Sequence, residues 1–547
     1  MPPSTHLFER PMDMPIPASN RSLALPIKNR RPRLLPGPVI SVLLLSAVAG
    51  YSQCRSGDPN GRFDGSATSA QAGKLNVSLN LSCVSGHYAG TLDTPTGLYT
   101  VTRGSFAEDR LSLQFTLAGS VVTVEARVAG NSLTGTFMTA DDKGPVQLER
   151  TGEALPIAAA GSSPVSLTPQ QWREDLVYLI RELPKRHPDP FASTSRTAFE
   201  AAAADLNARI DRLNSDEIYI GFDHLANLIG DAHTYVKFPD DNANLPLDIR
   251  RFGDDLRVVA VAPGYEQALG ARVVSIQDTP IARAQQLAAT IAPVAETDSL
   301  KESRIEGFLT TGMALHGLDI TADRGLTRYT LATDDGKQLM VDFRALSPGE
   351  EPKWIHPAAQ WPISEQPVDG SGKCTWLGSA ATLSCNVHKI LDLGSISREI
   401  RDDLRRDHPD KVVIDLRQNI GGDFNLGLKY LIGPLRKDKE INRKGRLFVL
   451  IGVNTFSAAM SNAAQFRTMT SALLVGQPIG ERPNSYQEPR QFTLPNSRLV
   501  VRYSSRYYKF VDGPDNVVEP DKVIVPTWED YKNGRDPVLE WALEFRN

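Results

Sequence analysis

Two short stretches carry the residues most capable of chemistry: Asp415-Leu416-Arg417-Gln418-Asn419-Ile420-Gly421-Gly422 and Asn454-Thr455-Phe456-Ser457-Ala458-Ala459. Each follows an apolar run with strand character and leads into a helix-like pattern. A Gly-Gly turn can aim backbone N–H groups at an anion, because glycine tolerates positive φ and close approach of another main chain. Ser457 falls where a strand hands over to a helix N-terminus, whose partial positive charge favours an alkoxide. A nucleophile beside free N–H donors is what acyl transfer requires. The same serine would also be a good N-cap, so the stretch alone does not separate catalysis from capping.

The elements around these stretches are readable from pattern. From Thr382 onward, strands and helices alternate, which predicts an α/β core. Strands are expected at Val412–Leu416, Leu447–Ile451, Leu473–Val475, Gln491–Leu494 and Leu499–Tyr503, with a helix from Ser457 to about Thr468. Upstream, Thr168, Pro169 and Gln171 form the start of a capped helix with a Leu176, Leu179, Ile180, Leu183 stripe. Further helices are expected over Ser195–Leu213 and Ser215–Ile229. Residues 55–152 alternate in short runs such as Leu111–Leu117 and Val121–Val128, broken by Gly, Asn and Asp. They read as a small antiparallel module of seven or eight strands, with binding, spacing or assembly as open roles. A linker over residues 153–167, a helical subdomain over 168–236, a β subdomain over 244–346 and a core over 375–547 complete the division.

The bulk numbers exclude several classes. A chain of 547 residues with net charge −4 and pI near 6.2 has no polyanion-binding excess of charge, and no nucleic-acid motif is found. The nine histidines lack metal-site spacing. The apolar run Pro38–Gly50 follows a basic patch and is shorter than the roughly 20 residues a membrane span needs. With Ala47-Val48-Ala49 behind it, residues 1–49 read as a signal segment, so export to the periplasm or outside is expected. A lipid anchor at Cys54 is disfavoured because the usual apolar residue upstream is missing. The four cysteines suit an oxidising compartment, with Cys374 and Cys385 facing across a hairpin and Cys54 and Cys83 as a second pair, or all four stay free thiols.

Read together and in order, several pieces resemble the tail-specific (C-terminal-processing, tricorn-type) serine peptidase family. They are Gly230-Asp231-Ala232-His233-Thr234, Val412–Gly422, Asn454–Ala459, Leu474–Glu481, Phe492–Ser497, Glu519-Pro520-Asp521 and Gly534-Arg535-Asp536-Pro537, spanning roughly residues 168–547. The resemblance implies a ClpP/crotonase-type core of repeated ββα units, and the 268–276 stretch is weakly PDZ-like. It implies Ser457 as nucleophile, with the oxyanion held by the N–H of Gly421 or Gly422 and of Ala458. One branch of the family uses a Lys where this chain reads Gly480-Glu481-Arg482-Pro483. Arg482 stays protonated and cannot be the base. The tricorn-like branch takes a His ahead of the core, which implies His233 as general base; His224, a turn earlier, is the competing histidine. The same branch implies an acidic partner near Asp515 or Glu519, Asp515 being the assignment and Asp231 a local alternative. Asp415 and Arg417 are expected to hold the Gly-Gly loop in place. No metal or organic cofactor is implied. The expected activity is cleavage of a peptide or protein substrate through an acyl-enzyme. A non-catalytic ligand-binding protein on the same scaffold is the alternative, and a crotonase-like acyl-CoA enzyme explains fewer of the pieces.

Overall fold

The computed structural model describes residues 59–546 apart from 71–72, 85–86, 95–96, 118–119, 140–141, 154–166, 240, 295, 358–361, 367, 369, 378–381 and 513–515. The signal segment, Cys54, nearly all of the linker and Asp515 therefore lie outside the described residues. The chain is a mixed α/β fold with several separate sheets.

The N-terminal module is a closed barrel of eight antiparallel strands in chain order, Gly61–Ser69 pairing with both Gly73–Val84 and Lys143–Gly152. Its inward alternation puts Phe63, Leu81, Leu111, Leu113 and Phe115 at 0% exposure. Closure removes the free edges that a short open sheet would present.

The helix Pro169–Arg186 opens with the Thr168/Gln171 capping box and buries Leu176, Leu179 and Leu183. It packs with the helices Arg196–Arg209 and Ser215–Asn227 into one apolar cluster. A second sheet, Leu247–Phe252, Asp255–Val261, Arg272–Ile276, Leu326–Ala332 and Gln338–Arg344, surrounds its own core.

The sheet nearest the motifs has the order Gly372–Leu377, Thr382–Val387, Lys411–Asp415, Leu447–Ile451, Leu473–Gly476, Lys522–Val523. Its first pair is antiparallel and the rest are parallel. The unbroken apolar strand Leu447–Ile451 is buried throughout, as a parallel strand covered on both faces must be. Cys374 and Cys385 face each other on the antiparallel pair and are disulfide-bonded. Cys83 is also disulfide-bonded.

One expected strand needs correction. The hairpin predicted to begin at Gln491 begins at Ser485 and extends to Thr493, pairing with Val500–Tyr508. Its first half, with Glu488 at φ 55° and Pro489 beside it, has polar composition and no apolar alternation to signal a strand. Among the described residues no helix is long and apolar enough to cross a membrane.

Candidate active site

Construction starts at the strand Lys411–Asp415. Arg417, just beyond its end, is half-buried between the carboxylates of Asp415 and Asp536, with Nη2 at 2.7 Å from each. That double ion pair ties the C-terminal segment to the start of the glycine loop and holds the Arg417 guanidinium firmly charged. Asn419 then organises the loop. Its Nδ2 donates to Val387 O at 2.8 Å, its Oδ1 accepts the Gly421 N–H at 2.9 Å, and its carbonyl accepts the Phe456 N–H at 2.9 Å. Thr455 locks the second motif to the first by donating to Leu416 O at 2.8 Å.

The two glycines are dictated by space as well as by φ. Gly421 has φ 108°, and a Cβ there would lie 2.6 Å from Ser457 Cβ; at Gly422, with φ 140°, it would lie 2.1 Å from Ile390 O. The Gly421 N–H is already engaged by Asn419, so it is not a free donor. Neither Gly422 nor Ala458 N–H has an acceptor among the described residues.

Ser457 precedes the helix Ala458–Met469 with φ 54° and ψ −121°, a conformation that is costly for any residue with a side chain. Its hydroxyl makes no capping hydrogen bond to that helix. Instead Oγ lies 3.2 Å from His233 Nε2. The stability explanation for a serine at this junction therefore fails on geometry.

His233 sits on the turn after the helix Ser215–Asn227, at 5% exposure. The two-residue strand Tyr235–Val236 that follows pairs with Val501 and Arg502, which fixes the turn against the distant hairpin. The ring stacks on Phe456, with centroids 4.8 Å apart. Burial pushes the imidazole down to about 4, only partly offset by Asp231. It is therefore neutral at pH 7 and able to accept a proton.

Asp231 does not touch the His233 ring. Its carboxylate accepts the His233 backbone N–H at 3.0 Å, Thr234 Oγ1 at 2.9 Å and Ser504 Oγ at 2.6 Å, and faces His187 Nε2 at 3.0 Å. Since His187 Nδ1 accepts the Asp189 N–H at 3.2 Å, Nε2 is the protonated nitrogen. Asp231 thus sets the shape of the turn. His224 lies elsewhere, with Nδ1 bonded to Thr290 O at 2.6 Å. Glu519 is exposed and its carbonyl accepts from Arg467.

The carboxylate facing the histidine is Glu481, a residue not among those expected from the sequence. It is 0% exposed, Oε2 accepts the Ser457 N–H, and Oε1 lies 3.6 Å from His233 Nδ1. At that distance the pair is not yet hydrogen-bonded, and Nδ1 and Oε1 both lack a partner among the described residues. Burial and the neighbouring buried Glu296 push Glu481 well above the usual carboxylate range. Glu481 stands in the Gly480-Glu481-Arg482-Pro483 segment, where only Arg482 is weighed as a base.

Ser457, His233, Gly422 and Ala458 line one cleft of about 950 Å³. The arrangement has the parts of a serine-nucleophile site: an uncapped hydroxyl, a neutral imidazole within reach, a buried acid behind it and free N–H donors alongside. No protein-family model matches the chain, and no curated protein matches it. Among solved structures the chain is similar to mature CPAF in complex with lactacystin, at 12% identity over 69% of this chain and 98% of that one, with TM-score 0.48. It is also similar to the photosystem II D1 C-terminal processing protease (14% identity, 66% and 94% covered, TM-score 0.33). A third is the tricorn protease (13% identity, 87% and 45% covered, TM-score 0.31). At these values the likenesses carry no argument about activity.

Proposed function

We propose that this chain is an exported serine endopeptidase that works through an acyl-enzyme, on the tricorn-like, His-using side of the tail-specific peptidases. A ClpP/crotonase-type core with a PDZ-like β subdomain belongs to the same reading. The observation that carries it is the Ser457 hydroxyl: on a strained residue, withheld from its own helix, and 3.2 Å from a buried neutral imidazole. The Cys374–Cys385 disulfide supports an oxidising destination.

In this mechanism Ser457 Oγ attacks the substrate carbonyl carbon while His233 Nε2 takes its proton. Negative charge on the carbonyl oxygen is held by the Gly422 and Ala458 N–H groups, each worth about 2.7–4 kcal/mol in such a site. The C–N bond breaks as His233 returns the proton to the leaving amine, and water cleaves the ester by the same steps. Glu481, in place of Asp515, receives the Nδ1–H as the imidazolium forms, which requires the 3.6 Å gap to close to hydrogen-bond range. Its other oxygen, on the Ser457 N–H, keeps the nucleophile turn and the base in one rigid unit.

Ser457→Ala should abolish peptide cleavage, a loss of at least about 10⁴-fold, while circular dichroism and melting temperature stay those of the parent. A fluorophosphonate should label the parent and not the variant. Retained turnover in Ser457→Ala would overturn the assignment.

A further inference from the structure

The helix Asp298–Phe308 is fastened to both catalytic loops. Thr297 donates to Gly480 O at 2.5 Å, and Ser303 Oγ bonds Asn454 Oδ1 at 3.1 Å. One turn of this helix carries Arg304 into the cleft that holds Ser457 and His233. Arg304 is 8% exposed, and its guanidinium carbon lies 5.4 Å from the centroid of Phe456, the residue before the nucleophile. Nη1 is buried without a hydrogen-bond partner, and no carboxylate among the described residues is within ion-pair distance of the guanidinium.

That is an expensive state for a cation. An unpaired buried charge costs several kcal/mol, and proteins ordinarily supply an acceptor. Here Arg417 shows the ordinary solution, with a carboxylate on each side. The acids nearest Arg304 are committed to backbone donors: Glu481 to the Ser457 N–H, Glu296 to the N–H groups of Arg482 and Ala232, and Asp223 to that of Val236. Cations outnumber acids on the cleft wall, which carries Arg186, Arg490 and Arg502 along with Asp64, Asp423 and Glu488. A planar fork of donors left open beside a nucleophile suits one ligand group well, a carboxylate.

We infer that Arg304 is a specificity-determining residue that receives a substrate carboxylate next to the scissile bond, so the preferred substrates are peptides acidic at that point. The inference rests on the peptidase reading of the site. Two sources share this chemistry, an Asp or Glu side chain within the chain and a terminal carboxylate. The competing role is structural: Arg304 as a counter-charge that steadies Glu481 and Glu296.

The test is a digest of a mixed peptide pool by the full-length protein, with cut sites mapped by mass spectrometry. Matched substrates then follow, Glu against Gln at the enriched position and free against amidated C-termini. The parent should prefer the carboxylate member of one pair by about 30-fold in kcat/KM, the usual worth of a charged hydrogen bond. Which pair shows it names the source. Arg304→Gln should collapse that ratio to near one, and Arg304→Lys, without the fork, should keep only part of it. A parent ratio near one in both pairs overturns the inference, with no need for a variant to fold. So does an Arg304→Gln variant that slows both members equally with the ratio intact, which is the counter-charge result. Failure of the underlying reading looks different: no cleavage of any peptide, or cleavage that survives Ser457→Ala.

Discussion

The barrel and the region around Ser457 bury opposite kinds of residue. The barrel interior is hydrocarbon, with Phe63, Leu79, Leu81, Leu111, Leu113 and Phe115 at 1% exposure or less. Around the serine the protein instead buries Asp231, His233, Glu296, Arg304 and Glu481. The first arrangement is favourable on its own terms, since each large apolar side chain contributes about 1.5–3 kcal/mol when buried. The second is not, because buried charges cost stability unless fully paired. A group left costly and incompletely paired is one that a ligand or a transition state can complete, and this contrast supports the proposed site at the second region.

The largest effect is expected at Glu481. Glu481→Gln keeps the size and can still accept the Ser457 N–H, but it cannot stabilise an imidazolium. A fall of about 10⁴-fold in kcat is expected, the size of loss that removal of a triad acid produces. The pH profile gives a second readout. Activity needs neutral His233, whose value is down to about 4, and ionised Glu481, whose value lies well above the ordinary carboxylate range. Raising the pH deprotonates the higher of the two last, so the acid limb of kcat/KM belongs to Glu481 and the rate climbs with pH through its titration. In Glu481→Gln that limb should disappear, leaving one near the lower value. An unchanged limb would mean that Glu481 is a structural acid and that the region resembles the barrel more than argued.

Next in size is Gly421→Ala. The new methyl must occupy space 2.6 Å from Ser457 Cβ and 3.1 Å from the Ala458 nitrogen, at a backbone φ of 108°. The nucleophile turn has to shift, which displaces both Oγ and the Ala458 donor. A loss of about 10²-fold in kcat is expected, with KM changed much less, by analogy with the removal of one oxyanion donor. Wild-type kcat in this variant would show that the loop and the serine are not mechanically joined.

How much of this was legible in the sequence follows from how local each signal is. Gly421, Gly422 and Ser457 are marked by their neighbours, because turns and strand–helix junctions restrict residue type within a few positions. The α/β alternation of the core is equally local. His233 stood out only through its place in an ordered series of motifs. Glu481 did not stand out, since its role depends on folding Gly480-Glu481-Arg482 against a turn from the helical region. Which of the two glycine N–H groups is free depends on where the Asn419 side chain points. Barrel closure, through the pairing of Phe63 with Arg150, joins the first and last strands, and no local pattern encodes that pairing.

The smallest effect on activity should come from the largest effect on packing. Phe115, in the strand Arg110–Leu117, is fully buried in the barrel. Phe115→Ala should cost about 3–5 kcal/mol, a large share of what a small domain has to spare. Calorimetry should then resolve an earlier, separate barrel transition, while kcat/KM at temperatures below it stays within about twofold of the parent. The change is made inside the barrel because its outer face is not neutral: Arg62 and Lys74 line the same cleft as Ser457. An interior substitution lowers barrel stability without altering that face. If kcat/KM nonetheless fell while the barrel was still folded, strain in its interior would be reaching the serine. The two regions would then be energetically coupled, and the division of labour between them would have to be abandoned.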